Sequence, residues 1–248
     1  MSEQKSFAVI GWPLKSTLSP AIHNAVFSEL EEGTEYSYSA APIEEEKVSQ
    51  FLDLVRTGDL AGLNVTIPYK EIVARLVDEL DPTAAAIRAV NTVAVRPGGV
   101  LKGYSTDGEG LVRSIEQNAG VNPAGKRIAV LGAGGAARSA IHALASAGAA
   151  KVLIINRTRS RALEAAALSP VCEVAKARAV KTCDIVINAT SVGMDSQDTP
   201  IKSKYLHEGQ LVVDAVYSPL ETRLLREAKE RGAATLDGLW MLIHQACV

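Results

Sequence analysis

The chain has 248 residues, enough at about 150 per domain for one large domain or two modest ones. At 47% hydrophobic and 22% charged it has the composition of a globular protein, which excludes a disordered, collagenous or disulfide-scaffold chain. A net charge of −2 provides no basic field for nucleic acid or anionic membrane, and the apolar run from Ile128 to Ala137 stops at Arg138, well short of a bilayer span.

Short Val/Ile-rich runs alternate with Ala/Leu/Glu-rich segments, the pattern of an α/β protein. Phe7 to Ile10 read as a strand and Gly11 to Leu18 as a loop. A helix follows, with Ser19 as N-cap and Pro20 in the first turn, where a missing N–H costs nothing. Tyr36 to Ala41 suggest a second strand. The helix after Pro42 opens with Glu44, Glu45 and Glu46, carboxylates favoured at a helix N-terminus. Gly62 to Ile67 read as a third strand stopped by Pro68. Ala89 to Val95 and Val100 to Tyr104, joined by Pro97-Gly98-Gly99, predict a hairpin.

Beyond a boundary near Asp107 to Gly110 the pattern changes. Asp107 caps a helix running to about Ala119, and Pro123-Ala124-Gly125 turns into a strand over Arg127 to Leu131. Further strands are predicted at Val152 to Asn156, Asp184 to Asn188 and Leu211 to Ala215, with helices between them, one over Leu220 to Arg231 and a last one after Asp237-Gly238. Strands separated by helices imply a parallel sheet with right-handed crossovers. The four histidines, His23, His142, His207 and His244, lack metal-ligand spacing, so no metal is expected. Cys172, Cys183 and Cys247 have no metal or redox spacing, and the polar N-terminus lacks a signal-peptide core. The expectation is a cytoplasmic protein with reduced thiols.

Gly132-Ala133-Gly134-Gly135-Ala136-Ala137 fits the dinucleotide fingerprint directly after a predicted strand and before a helix. Gly132 permits the tight turn, Gly134 the approach of a pyrophosphate, and Ala137 close helix–strand packing. A plain glycine-rich strand–helix turn is the competing reading. Where an NAD site would place an acid on the ribose, the next strand ends in Asn156-Arg157-Thr158-Arg159-Ser160-Arg161. Arg157 and Arg161 can pair with a 2′-phosphate, and Asn156 and Thr158 can hydrogen-bond to it, so the expected cofactor is NADP. The alternative is a solvated basic helix start.

The first half carries polar residues in apolar surroundings. Strand alternation places Asn64 and Thr66 on one face and Leu63, Val65 and Ile67 on the other, with Lys70 just beyond. Thr17 and Ser19 repeat the two-residue spacing, Asn91 interrupts an apolar run, and Asp107 stands at the domain join. Each has an ordinary explanation as cap, turn former or surface residue. Together, hydroxyls, amides, an ammonium and a carboxylate beside a nucleotide cofactor suit a small polyhydroxylated acid.

These blocks resemble the shikimate dehydrogenase family from about Phe7 to Ala246. The resemblance is carried by Gly11-Trp-Pro-Leu-Lys-Ser-Thr17-Leu-Ser19-Pro20 with His23-Asn24, Asn64-Val-Thr-Ile-Pro-Tyr-Lys70, Ala89-Val-Asn91-Thr92 and Gly103-Tyr-Ser-Thr-Asp107-Gly108. It continues through the Gly132 turn, Asn156-Arg-Thr158, Asn188-Ala-Thr-Ser-Val-Gly193-Met194, Asp214-Ala-Val-Tyr217 and Asp237-Gly238-Leu-Trp-Met241-Leu-Ile-His-Gln245. It implies NADPH-dependent reduction of 3-dehydroshikimate to shikimate. The implied architecture is an N-terminal α/β substrate domain, residues 1–107 with 236–248, and a Rossmann-type doubly wound parallel-sheet NADP domain, residues 108–235. Carried over by position, the implied substrate contacts are Thr17, Ser19, Asn64, Thr66, Lys70, Asn91, Asp107, Tyr217 and Gln245. Cofactor contacts are implied at Gly132, Ala133, Gly134, Gly135, Ala136, Asn156, Arg157, Thr158, Arg161, Ala215, Gly238 and Met241. Lys70 and Asp107 are the implied catalytic pair, the ammonium supplying a proton to the developing alkoxide and the carboxylate orienting it.

The chain departs from the family at three positions. Thr17 stands where serine is commoner, Ser105 where asparagine is usual, and Trp240 where a small residue is usual; Trp240 is read as core filling, with crowding of the nicotinamide as the alternative. The sequence also stops three residues after Gln245, where the family continues as a longer final helix; a shortened copy and an incomplete helix are the two readings. A quinate or quinate/shikimate dehydrogenase is the nearest rival reading, and a non-catalytic quinate-sensing domain the rival from another class. A small-molecule substrate bound between the domains and a monomer or homodimer complete the expectation.

Overall fold

The alternation of apolar strands and helices yields two sheets of six strands each in a computed structural model, which describes residues 3–14, 17–30 and 34–248. The sheets belong to separate units, Met1–Thr106 and Asp107–Val248.

The first unit contains β1 (Glu3–Gly11), α1 (Ser19–Phe27), β2 (Thr34–Pro42), a 3-10 turn (Glu45–Lys47) leading into α2 (Val48–Thr57), β3 (Gly62–Val65), α3 (Lys70–Leu76), β4 (Glu79–Leu80), α4 (Pro82–Ile87), β5 (Thr92–Arg96) and β6 (Val100–Tyr104). The strand order is β2-β1-β3-β5-β6-β4. β1 pairs in parallel with β2 and β3, while β5 runs antiparallel to β3 and forms the expected hairpin with β6. Ile10, Leu63, Val65, Tyr69, Val73, Val93 and Leu101 form its core with Leu52 and Val55 of the amphipathic α2.

Several local expectations are corrected here. Ser19 is the first residue of α1 rather than its cap; Leu18 holds the cap position, without a side-chain bond. The Ser19 hydroxyl accepts from Thr17 Oγ1 at 3.3 Å instead. β3 ends at Val65, so Thr66 lies in the following turn, and Ile67 is 49% exposed rather than facing inward. Pro68 has no N–H for a ladder, and Tyr69 N closes the turn onto Thr66 O at 2.9 Å. Glu45 and Glu46 sit in the 3-10 turn, and α2 opens with no acid in its first turn.

The second unit contains α5 (Asp107–Asn118), β7 (Arg127–Leu131), α6 (Gly135–Ser146), β8 (Lys151–Ile155), α7 (Arg159–Ala166), β9 (Cys172–Val174), a 3-10 turn (Ala177–Thr182), β10 (Ile185–Asn188), a second 3-10 turn (Ser203–Tyr205), β11 (Leu211–Asp214), α8 (Arg223–Glu230), β12 (Ala234–Leu236) and α9 (Gly238–Ala246). All neighbouring strands are parallel, in the order β12-β11-β10-β7-β8-β9. This is the doubly wound order, whose reversal at β7 and β10 opens a crevice at their carboxyl ends. β10 and β11 are buried at every position, as strands covered on both faces must be. Segment 236–248, assigned by resemblance to the first domain, groups with this second unit. α9 packs along α5 so closely that a Cβ on Gly110 would stand 2.6 Å from Gln245 N. Trp240 is 40% exposed, so it is not core filling.

Among the described residues no helix is long and apolar enough to cross a membrane. None of their His, Cys, Asp and Glu side chains form a group able to hold a metal ion.

Candidate active site

In the first unit the candidate polar residues come together because loops and strand ends converge at the carboxyl side of β1 and β3. Gly11 ends β1 where a Cβ would stand 2.5 Å from the Thr66 methyl and 2.9 Å from Ile67 O, so the turn after β3 can fold back only over a glycine. Thr66 N then donates to Ile10 O at 2.9 Å. Lys70, half-buried, opens α3, and its carbonyl accepts from Val90 N at 3.0 Å, which brings the lysine turn alongside Asn91.

Four of the candidates fall into two hydrogen-bonded pairs, Thr17 with Ser19 and Asn64 with Asn91. Thr17 Oγ1 donates to Ser19 Oγ at 3.3 Å, and Ser19 O meets Nδ1 of His23, whose ring stacks on Tyr38. The Tyr38 hydroxyl donates to Asn64 Oδ1 at 2.6 Å. Asn64 Nδ2 donates to Asn91 O at 3.1 Å and to Thr92 Oγ1 at 2.9 Å, and Thr92 Oγ1 donates on to Asn91 Oδ1 at 3.2 Å. Asn91, only 4% exposed, exchanges bonds with Thr106: Nδ2 donates to its Oγ1 at 2.8 Å and Oδ1 accepts from its N at 3.0 Å. An amide interrupting an apolar run is tolerated here because its groups are partnered. Burial pushes the Tyr38 phenol far above its ordinary value, against the opposing pull of Ser19, so it stays a protonated donor.

Asp107, Tyr217 and Gln245 lie in the second unit. Asp107 is buried at the head of α5, where Gly108 N donates to Ser139 Oγ at 2.8 Å. Gln245, half-buried on α9, donates through Nε2 to Leu242 O at 2.9 Å. Tyr217 is half-buried on the segment leaving β11.

The glycine turn fits a dinucleotide phosphate. Gly132 adopts φ +117°, and a Cβ there would stand 3.0 Å from Ala189 O, so both backbone and space demand glycine. Gly134 is the N-cap of α6, and a Cβ there would meet nothing within 4 Å. The opening leaves the N–H groups of Gly135 and Ala136 at the helix head accessible to an anion. Ala133 and Ala137 are buried against the sheet. Asn156 Nδ2 donates to Thr158 O at 2.9 Å, shaping the turn into α7, where Arg157, Thr158 and Arg161 are exposed. Cations at a helix N-terminus oppose its dipole by about 0.3–1 kcal/mol each. Their concentration there fits a site for an added phosphate. Gly238, on α9, packs on Ala215: its Cβ would stand 2.4 Å from Ala215 O, and Met241 is buried one turn on.

Residues outside the candidate set complete this crevice. Asp214 is fully buried and accepts from Asn188 Nδ2 at 2.8 Å, Thr222 Oγ1 at 2.7 Å and Val216 N at 3.0 Å. Burial raises its pKa while those donors pull it down. Asn188 also accepts from Thr190 N and Oγ1 and donates to Val192 O, so one amide binds β10, β11 and the turn beside Gly132. The signal was legible: Ile185-Val-Ile and Leu211-Val-Val each end in a polar residue, and the register pairs Asn188 with Asp214. Tyr38 had no such mark within an alternating strand.

A doubly wound sheet with this turn, preceded by a unit carrying a row of hydrogen-bonding side chains, defines a two-part dinucleotide-dependent dehydrogenase. Residues 9–93 match the family model described as shikimate dehydrogenase substrate binding domain, and residues 114–216 match that of shikimate / quinate 5-dehydrogenase. The chain is 40% identical over 251 residues to the shikimate dehydrogenase (NADP(+)) of Moorella thermoacetica, covering 96% of this chain and 84% of that one. The shikimate 5-dehydrogenase of Thermus thermophilus, solved in complex with NADP(H) and shikimate, superposes with TM-score 0.89 at 37% identity, over 97% of this chain and 90% of that one. The quinate dehydrogenase of Corynebacterium glutamicum, solved with NAD, gives 0.86 at 30%, over 99% and 92%. The chain belongs to the shikimate dehydrogenase family.

Proposed function

We propose that the chain interconverts 3-dehydroshikimate and shikimate with NADP(H). The observation that carries this reading is the hydrogen-bonded pairing of Thr17 with Ser19 and of Asn64 with Asn91, hydroxyls and amides suited to a polyhydroxylated ring, in a chain of this family.

NADPH, when bound, supplies the hydride. The Gly132–Ala136 turn would hold its pyrophosphate, and Asn156, Arg157, Thr158 and Arg161 its 2′-phosphate. Ala215, Gly238 and Met241 would bound the nicotinamide end. Lys70 as an ammonium gives its Nζ proton to the ketone oxygen as charge develops there, and as a neutral amine takes it back in the reverse direction. Asp107 is the carboxylate of the pair and accepts from a ring hydroxyl; Thr66, Tyr217 and Gln245 add hydrogen bonds to the substrate. The location proposed is the cytoplasm, in keeping with free Cys172 and Cys183, whose thiols burial pushes up to about 11 and so keeps unreactive. The assembly proposed is a monomer or homodimer.

The test is oxidation of shikimate and of quinate, each with NADP and with NAD, followed by absorbance of the reduced nicotinamide. Shikimate with NADP gives the highest kcat/KM. A preference for quinate would assign the chain to the rival dehydrogenase, and binding without turnover would make it a sensor.

A further inference from the structure

Tyr38 is absent from the set of residues that the family resemblance implies, yet its hydroxyl donates to Asn64 Oδ1 at 2.6 Å, and Asn64 in turn donates to Asn91 O. Its position is built from every side. The Asn24 side chain clamps the Tyr38 backbone, Oδ1 accepting from Tyr38 N and Nδ2 donating to Tyr38 O, both at 2.9 Å. His23 stacks on the phenol ring at 4.1 Å between centroids and 12° between planes, itself held by Nδ1 on Ser19 O at 2.9 Å. The ring is 5% exposed.

An asparagine amide offers two N–H donors and two carbonyl lone pairs. Both Asn64 donors are spent on Asn91 O and Thr92 Oγ1, and one lone pair is taken by Tyr38. What remains for a ligand is a single acceptor. We propose that Tyr38 is a positioning residue of the substrate site, whose hydroxyl holds the Asn64 amide so that it accepts from a ring hydroxyl of the substrate and donates nothing. A ligand presenting a carbonyl or ether oxygen to Asn64 would meet two acceptors face to face, so this arrangement selects a hydroxyl at that position. The inference rests on the shikimate reading given above.

The experiment compares Tyr38→Phe and Tyr38→Leu with wild type in steady-state kinetics, shikimate calorimetry and thermal unfolding. Tyr38→Phe keeps the ring on His23 and removes the hydroxyl alone. It is expected to unfold near the wild-type midpoint and to raise the KM and Kd for shikimate roughly 10-fold, the worth of the hydrogen bond that orients Asn64. Its kcat and its KM for NADP stay as in wild type, a split that general loosening would not produce. Tyr38→Leu loses stability as well. Unchanged shikimate KM in Tyr38→Phe overturns the proposal. So does a fall in midpoint equal to that of Tyr38→Leu, or a failure to fold, since the hydroxyl would then be a structural prop. Wild-type protein that neither turns over nor binds shikimate would instead overturn the reading of function, which the wild-type arm reports on its own.

Discussion

Gly110→Ala sets two quantified effects against each other at the contact of α5 with α9. In an isolated helix the change is favourable, because glycine in a helix interior costs roughly 0.5–1 kcal/mol relative to alanine. In the folded chain the new Cβ would stand 2.6 Å from Gln245 N, 2.7 Å from its Cβ and 2.8 Å from its Cα. Normal contact needs about 3.5–4.0 Å, so α9 must retreat by about 1 Å. No rotamer relieves this, because the opposing atoms are backbone and Cβ. Overpacking of this kind costs about 1–3 kcal/mol, which outweighs the helix gain and leaves a net loss of roughly 1–2 kcal/mol. For a chain of this size that lowers Tm by roughly 2–8 °C, measurable by scanning calorimetry. The same retreat displaces Gly238, Met241 and Gln245, so kcat/KM falls with both substrates, by as much as about 10²-fold for a 1 Å misplacement. A variant with equal or higher Tm and unchanged KM values would show that α9 yields freely and that glycine at this position is incidental.

Lys70→Ala is expected to lower kcat by about 10²-fold or more with little change in KM, as loss of a general acid requires; a pure KM effect would make Lys70 only a binding residue. Arg157→Asp should raise the KM for NADPH much more than that for NADH, and equal losses for both would refute pairing with the 2′-phosphate. Asp214 gives a pH dependence of stability. Its folded pKa is raised by burial above the ordinary 3.8, so between the two values folding takes up a proton and stability falls as pH rises. Asp214→Asn removes that contribution. Urea midpoints followed across acid pH should therefore slope less steeply downward in the variant, and identical slopes would show that its three hydrogen bonds, rather than burial, set its titration.

The elements most legible in the sequence are those whose pattern is local. The glycine turn between β7 and α6, the Pro97-Gly98-Gly99 hairpin and the polar ends of buried strands are each written within a few residues, because φ, missing N–H groups and burial act locally. The short strands β4, β9 and β12 are not legible this way. Two or three residues carry no period, and they exist because a neighbouring strand offers a ladder. Ser19 reads as a helix cap for the same local reason, but the helix begins one residue sooner, with Leu18 at the cap position and the Ser19 hydroxyl on Thr17.

Chain order and residue type thus determined the α/β class, the two-part organisation, the glycine turn between β7 and α6 and the residues proposed to bind and protonate a ketone. Tertiary structure decided which side chains share hydrogen bonds: Tyr38, from a strand remote in sequence, donates to Asn64, and Asp214 gathers Asn188, Thr222 and Val216. A buried polar group must find its partner in space, and that partner is selected by strand register and helix packing, which no short window of residues contains.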